Sequence, residues 1–580
     1  MKKILSTQNL FVGLVVLVIL TTRFLFIDRF PPGMQHDEIE YVLSSKTYQM
    51  FGTDLSGVSF PESLISTRTH GSISPIPPLL FSPLWNILPL NLLTVRMAYT
   101  LLNVMTAIVF GLLVHSLFKN RILANIATLL FLLNPWSLYL SRQTIDATFA
   151  LFFYLLGMYI LIGQHKWSIP LSFLSFIFGF FSYNGAKLLL VPLVGICLAY
   201  VYITQKQTKK NSVALISYLF LAITLVVGFL IASKMSPESV YSSRSSEIVF
   251  LNQDILSNTV NELRKTVIQT PFTSIFINKI TVAIYLFFQQ YLGAFSPQIL
   301  FSTGEVYRFH GYFYLPEALL LCVGLIRLFL TKKRVFFFIT ALLLIAPIIT
   351  ASSLNGQSIL NRSFLLLPTL LIPISYGLIE VFRYLRFYVP KSLLLISAIG
   401  IYAVLFSNIL FIYFFQLPIH EHGFYQVATR VLARYVSMES PHTKKMFIVS
   451  KEPRQLYLET VFYSHPELQE KLLQKKLTFQ DHKTYSIGNI DFIDSCPTNI
   501  NPEYIYVISS DYVDCFPRIA STYLILDQVD AGTTFRAVGG VACHGVPLTR
   551  WRREHLISDY TIESLSVQKF CERWIAQPDP

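Results

Sequence analysis

Three carboxylates crowd together in Asp37-Glu38-Ile39-Glu40, directly after Pro31-Pro32-Gly33-Met34-Gln35-His36. A carboxylate presented to a pocket can take the proton of a sugar or protein hydroxyl, so Asp37 or Glu38 is a candidate general base. The plain structural alternative is an Asp-x-x-Glu cap, with acids favoured in a first helical turn by the backbone dipole. Adjacent helical residues point about 100° apart, so one acid can cap while the other is presented outward. Ile39, Val42, Leu43, Met50 and Phe51 follow at helical spacing and Gly52 offers a stop. This predicts a short amphipathic helix lying on a membrane surface.

Cations recur at the ends of apolar runs. Asn134-Pro135-Trp136-Ser137 leads to Ser141-Arg142, Ser182-Tyr183-Asn184 leads to Lys187, and Gly356-Gln357 leads to Asn361-Arg362. Each alone reads as a side chain reaching from a span end to headgroups. Together they suit an anionic lipid phosphate, which a guanidinium can bind with two parallel hydrogen bonds. A long polar stretch adds Arg244 within Ser242–Glu247, then Phe295-Ser296-Pro297 through Gly304-Glu305, Arg308 and His310. His36, His70 and His310 with an acid are compatible with a divalent cation, but no cofactor is demanded and no metal ligand set can be assigned from their spacing.

These groups must be positioned by membrane helices. The chain has 580 residues, 53% hydrophobic and 14% charged, with a formal charge of +13 and a mean hydropathy of +0.52. Repeated apolar runs of roughly 18 or more residues suffice to cross a bilayer. Eleven spans are predicted, near 9–27, 92–117, 121–140, 143–163, 167–182, 186–204, 212–233, 312–331, 334–352, 362–384 and 391–416. The first lacks a small-x-small cleavage site and reads as uncleaved. Lys2-Lys3, Lys119 to Arg121, His165-Lys166, Lys206 to Lys210, Lys332 to Arg334 and Arg383 to Lys391 fall on one side. The excess of Lys and Arg in short loops makes that side cytoplasmic and removes the reason to invoke nucleic acid. The expected location is therefore the plasma membrane, with the N-terminus cytoplasmic and the loops 28–91 and 234–311 and the tail outside. Amphipathic pieces at 77–90 and 279–295 are placed at the outer interface.

Residues 1–416 thus form one helical domain and 417–580 a soluble one. In the tail, 446–450 and 504–508 read as buried strands, 523–526 as another, and 424–435 and 466–473 as helices, which predicts a small α/β fold. Cys496, Cys515, Cys543 and Cys571 suggest two disulfides if the tail meets an oxidising compartment. Cys197 and Cys322 lie in apolar runs and read as small buried hydrophobes.

In order along residues 9–416, several stretches resemble the bacterial relatives of protein O-mannosyltransferases and aminoarabinose transferases, which are GT-C membrane glycosyltransferases. They are Pro31-Pro32-Gly33 with Asp37-Glu38, Asn134-Pro135-Trp136-Ser137 with Ser141-Arg142, Phe181-Ser182-Tyr183, Phe295-Ser296-Pro297 through Leu300-Phe301 and Gly304 to Arg308, His310 and Gly311, and Asn361-Arg362 with Leu367-Pro368. The resemblance implies a GT-C-like polytopic helical body and a sugar donor carried on polyprenyl phosphate. The acceptor would be a hydroxyl of a protein, lipid or glycan. It implies Asp37 as base, and Arg142 and Arg362, with Arg244 and Arg308, around the donor phosphate; Lys187 is added to that phosphate set as a span-end cation. Tyr183, Glu305 and His310 would line the pocket, Glu305 standing where the family often has aspartate. A flippase or transporter of lipid-linked glycans is the alternative, although no internal repeat is evident. A glycan sensor anchored by inert helices is a third reading.

Overall fold

The computed structural model describes residues 7–65, 74–163, 168–204, 209–235, 248–250, 252–305, 310–353, 359–464, 484–497, 500–512, 515, 524–526, 535–550 and 560–577. His70, Arg244, Arg308 and the helix expected at 466–473 lie outside the described residues. The chain divides into two compact units. The first comprises Met1–Leu25, Pro61–Pro77 and Ala98–Ile412; the second comprises Phe26–Phe60, Pro78–Met97 and Tyr413–Pro580. The sequence drew a single boundary at 416 and left both outer loops with the helices. Residues 26–60 and 78–97 instead pack with the tail.

Among the described residues, seven helices are long and apolar enough to cross a membrane: Leu92–Phe118, Asp146–Gly163, Gly185–Thr204, Ser212–Met235, Lys333–Ser352, Leu366–Leu385 and Lys391–His420. Uncovered side chains such as Ile216, Phe220, Ile231, Ile396 and Val404 would be costly in water and are at home against acyl chains. The chain is a multi-pass membrane protein. The remaining expected spans are also helical but differ in form. Ser168–Ser182 is about 22 Å long at 1.5 Å per residue, and Leu315–Thr331 has 17 residues. The first helix, Thr7–Ile19, continues as a wider turn, Leu20–Phe24.

The span expected at 121–140 is not straight. Helix Arg121–Leu133 and helix Pro135–Ser141 meet at 65°. Pro135 has no N–H to continue the ladder and pushes its predecessor out of the helical region. Asn134 is extended, at φ −67° and ψ 134°, and its side chain accepts from Ser137 N to start the second segment. Leu315–Thr331 and Leu366–Leu385 cross where both are smallest. A Cβ on Gly324 would collide with Pro373 O, and one on Gly377 with Leu320 O.

In the second unit an eight-stranded sheet has the order β2-β3-β1-β4-β6-β5-β8-β7. The strands are β1 Met446–Val449, β2 Thr484–Ile487, β3 Ile490–Ile493, β4 Ile505–Ser509, β5 Leu524–Leu526, β6 Phe535–Val538, β7 Thr549–Arg550 and β8 Ile575–Gln577. β1 runs parallel to β3 and β4, and β4 is buried at every residue, as a continuous apolar strand covered on both faces should be. Helices Val427–Glu439 and Pro453–Tyr463 pack together. The predicted helix at 424–435 begins three residues later than expected. Disulfides join Cys496 to Cys515 and Cys543 to Cys571.

Gly324→Ala should destabilise the helical unit by about 1–3 kcal/mol through overpacking. Gly228→Ala, at a glycine with open space around it, should not. Thermal unfolding in detergent reads both, and equal melting of the two variants would refute the close crossing.

Candidate functional site

The candidate base lies in the second unit, on helix His36–Phe51. Its entry is fixed by backbone acceptors. Arg96, fully buried, donates to Ile27 O at 2.9 Å and Gly33 O at 2.6 Å. Arg430 donates to Pro32 O, and Met34 N donates to the Tyr463 hydroxyl at 3.0 Å. Gly33 is required here, because a Cβ would collide with Tyr425 O. Ile39, Val42 and Leu43, expected to face a membrane surface, are packed inside the unit. Residues Glu38 to Tyr48 are all buried, against helix Pro453–Tyr463 and the turn Ser82–Asn86, where Trp85 Nε1 donates to Ser45 Oγ at 2.6 Å. The apolar stripe read from the sequence was therefore a core face, and the unit's own helices cover it.

The three acids separate by role. Glu38, not Asp37, takes part in the cap: its carboxylate accepts from Gln35 N at 3.1 Å. Glu40 is buried and lies 2.5 Å from the Arg454 guanidinium and 3.2 Å from His36 Nε2. Asp37 is exposed. Burial alone would lower the pKa of His36, but contact with Glu40 and the charges of Glu40, Glu459 and Asp37 raise it. Burial opposes ionisation of Glu40, yet His36 and Arg454 hold it below its ordinary value. Glu459, fully buried beside His36, is pushed up to about 7 by desolvation.

The candidate cations of the first unit fall in two places. At the bend, Arg142 is fully buried and donates to Thr22 O at 3.0 Å and Leu25 O at 2.9 Å. Arg23 reaches the other way, donating to Leu132 O, Ser137 O and Ser141 Oγ at 2.6–2.8 Å. Arg142 thus holds backbone rather than reaching headgroups. Around the bend, Trp136 stacks on Tyr312 at 4.7 Å, and the Tyr314 hydroxyl donates to Leu133 O at 2.7 Å. Gly304, at φ +62°, turns the chain so that Glu305 accepts from the Tyr312 hydroxyl at 2.8 Å. His310 is buried with Nδ1 on Gly311 O, and desolvation lowers its pKa.

Lys187 and Arg362 occupy the second place. Lys187, in the turn Gly185–Leu189, donates to Asn184 Oδ1 and lies 4.7 Å over the Phe229 ring. That turn packs against Ile348–Ser352. Arg362 donates to Ser353 Oγ just beyond it, and Tyr183 meets Phe364 edge-on at 6.0 Å. Lys187, Tyr183 and Arg362 therefore sit on adjoining elements.

Sequence reasoning missed Arg23 and Arg96, both hidden in apolar runs where a guanidinium is itself a signal. It also missed Asp146, buried in a first helical turn and accepting from Ser74 Oγ at 3.0 Å. Among the described residues, no group of three or more His, Cys, Asp or Glu could hold a metal ion.

The class the structure defines is a polytopic helical membrane protein with a mixed-sheet unit. No family model matches the chain, and no curated protein does. Solved structures with some likeness include ArnT from Cupriavidus metallidurans bound to undecaprenyl phosphate. That likeness is 13% identity and a TM-score of 0.46, over 91% of this chain and 97% of that one. Another is the oligosaccharyltransferase AglB from Archaeoglobus fulgidus in complex with an inhibitory peptide and a dolichol-phosphate. The identity is 13% and the TM-score 0.43, over 79% of this chain. The chain spans 64% of the length of that oligosaccharyltransferase. With TM-scores below 0.5, neither likeness carries a reaction or a ligand over to this chain.

The titrations fix a pH dependence. Groups whose pKa is raised on folding stabilise fully below their unfolded values and lose that contribution as pH rises through the folded ones. For Glu459 the loss runs up through about 7, and His36 adds to it above its ordinary 6.5. Melting of the second unit should therefore fall as pH rises from about 4.5 to 7, with His36 extending the fall above 6.5, and Glu459→Gln should flatten the profile. An unchanged profile would refute the assignment. Separately, Arg142→Lys should lower thermal stability, through loss of charged hydrogen bonds worth about 1.5–3 kcal/mol each. Arg362→Gln should leave melting nearly unchanged.

Proposed function

We propose that the chain is a glycosyltransferase that moves a sugar from a polyprenyl-phosphate donor to a hydroxyl of a protein, lipid or glycan acceptor. The observation that carries this reading is the sorting of the three acids. Glu38 is used by the cap and Glu40 by Arg454 and His36. Asp37 alone of them is exposed, on a helix whose buried body holds it still. The sequence resemblance and the pairing of Lys187 and Arg362 on adjoining elements support it.

Asp37 is the general base that takes the acceptor's proton as its oxygen bonds to the sugar carbon. The bond from that carbon to the phosphate oxygen breaks, the carbon passing through oxocarbenium character as in other glycosyl transfers. The lipid phosphate leaves with the electron pair, and Lys187 and Arg362 stabilise its charge, most strongly where water is excluded. Arg142 and Arg23 keep the bend at Asn134 in place, and Tyr183, Glu305 and His310 are read as pocket residues. The reading demands no cofactor; a divalent cation beside the phosphate would add to the same stabilisation.

We further infer an outward tail and a cytoplasmic N-terminus in the plasma membrane. Support comes from the one-sided Lys and Arg loops and from two disulfides in the tail, which an oxidising compartment favours.

Asp37→Asn should lower transfer of label from a radiolabelled polyprenyl-phosphate sugar about 10²- to 10⁴-fold, with melting unchanged. Glu38→Gln should chiefly lower stability, by about 0.5–2 kcal/mol as other cap losses do. Full transfer by a folded Asp37→Asn protein would sink the assignment. Movement of the intact lipid-linked sugar between leaflets, without bond cleavage, would favour a flippase.

A further inference from the structure

Within the helical unit, an apolar crevice of about 680 Å³ runs between the first helix and helices Arg121–Leu133, Leu366–Leu385 and Lys391–Phe411. Its wall is aliphatic and aromatic, including Val18, Leu129, Ile379, Phe382, Ala398 and Ile399. Helix Lys391–Phe411 barely touches the rest of its unit; its buried residues are Leu394 and Ile409 alone. A volume in the range of ligand sites, about 300–1,000 Å³, left empty at the depth of a bilayer would forfeit the dispersion contacts of every side chain along it.

Polarity is confined to one end. Asn120, Arg383, Arg386 and Lys391 line the crevice there, because one helix ends at Leu385 and two begin at Arg121 and Lys391. Arg383 pairs with Glu380 at 2.5 Å, which Arg327 shares at 2.7 Å. Arg386 and Lys391 are exposed and have no carboxylate partner among the described residues. The starts of the two helices add partial positive charge. Deeper in, the Tyr402 hydroxyl is already committed to Glu317 at 3.1 Å.

We propose that this crevice binds an anionic phospholipid, its acyl chains along the aliphatic wall and its phosphate at Arg386, Lys391 and Arg383. An uncharged or zwitterionic lipid would fill the wall equally well but would leave the cations unanswered. None of Asp37, Lys187 and Arg362 lines the crevice, and the proposal does not depend on the proposed transfer reaction.

The test is native mass spectrometry of the full-length, delipidated protein titrated with phosphatidylglycerol, phosphatidylcholine or undecaprenyl phosphate. Phosphatidylglycerol should bind more tightly than phosphatidylcholine. Arg386→Gln with Lys391→Gln should weaken it roughly thirtyfold, at about 1 kcal/mol per cation, with phosphatidylcholine binding and melting unchanged. Ala398→Trp, which fills the crevice, should reduce both lipids. A photoreactive chain on phosphatidylglycerol should label Leu129 or Ile399. Equal binding of the two phospholipids, preference for undecaprenyl phosphate, or labelling insensitive to Ala398→Trp would each overturn the proposal.

Discussion

The helical unit depends on an exchange of two buried guanidinium groups. Arg23, at the end of the first helix, satisfies the Leu132 carbonyl that the break at Asn134 leaves without a helical donor, and adds a bond to Ser137 O. Arg142, just past that break, satisfies carbonyls where the first helix unwinds. Each helix end leaves backbone acceptors that cannot be solvated inside a membrane protein. Here each end supplies the cation that completes the other. Thr100 adds a bond to Ser141 O at 2.8 Å. Two charges are thus kept fully buried, an arrangement tolerable only because several oxygens face each of them.

A similar economy governs the second unit. The bend into helix His36–Phe51 is stapled by Arg96, Arg430 and Tyr463, so the helix start is dictated by partners remote in sequence. Once the entry is set, the next acids are sorted by position. Glu38 folds back on the entry, Glu40 turns inward to Arg454, and Asp37 turns outward.

Much of the architecture was legible because membrane helices and covered strands announce themselves by composition. The segments at 92–117, 212–233 and 391–416, and the strands at 446–450 and 504–508, needed only continuous apolar runs. What a single sequence could not show was which face of an amphipathic stretch meets protein and which meets lipid. Ile39, Val42 and Leu43 have the same spacing in either setting, so the helix read as interfacial. The bend at Pro135 was written in the residues and was outweighed by the hydropathy around it. Arg142 was misleading for a related reason. An arginine at a span end looks the same whether it meets a phosphate or the carbonyls of a neighbouring helix, and only the fold reveals Thr22 and Leu25 beside it. Asp37 and Glu38 were legible as a pair, but their division of labour rests on Gln35, which caps the helix two residues ahead of the expected cap.

The acid-bearing helix also bears on the order of assembly. It emerges early from the ribosome, yet Tyr425, Arg454 and Tyr463, which hold its entry and its inward carboxylate, are made about four hundred residues later. Until they arrive, Glu40 has no guanidinium and Gly33 no carbonyl to press against. Asp37 therefore acquires its fixed setting only late in biogenesis, so a half-made chain already threaded into the membrane carries its carboxylates on an unanchored loop.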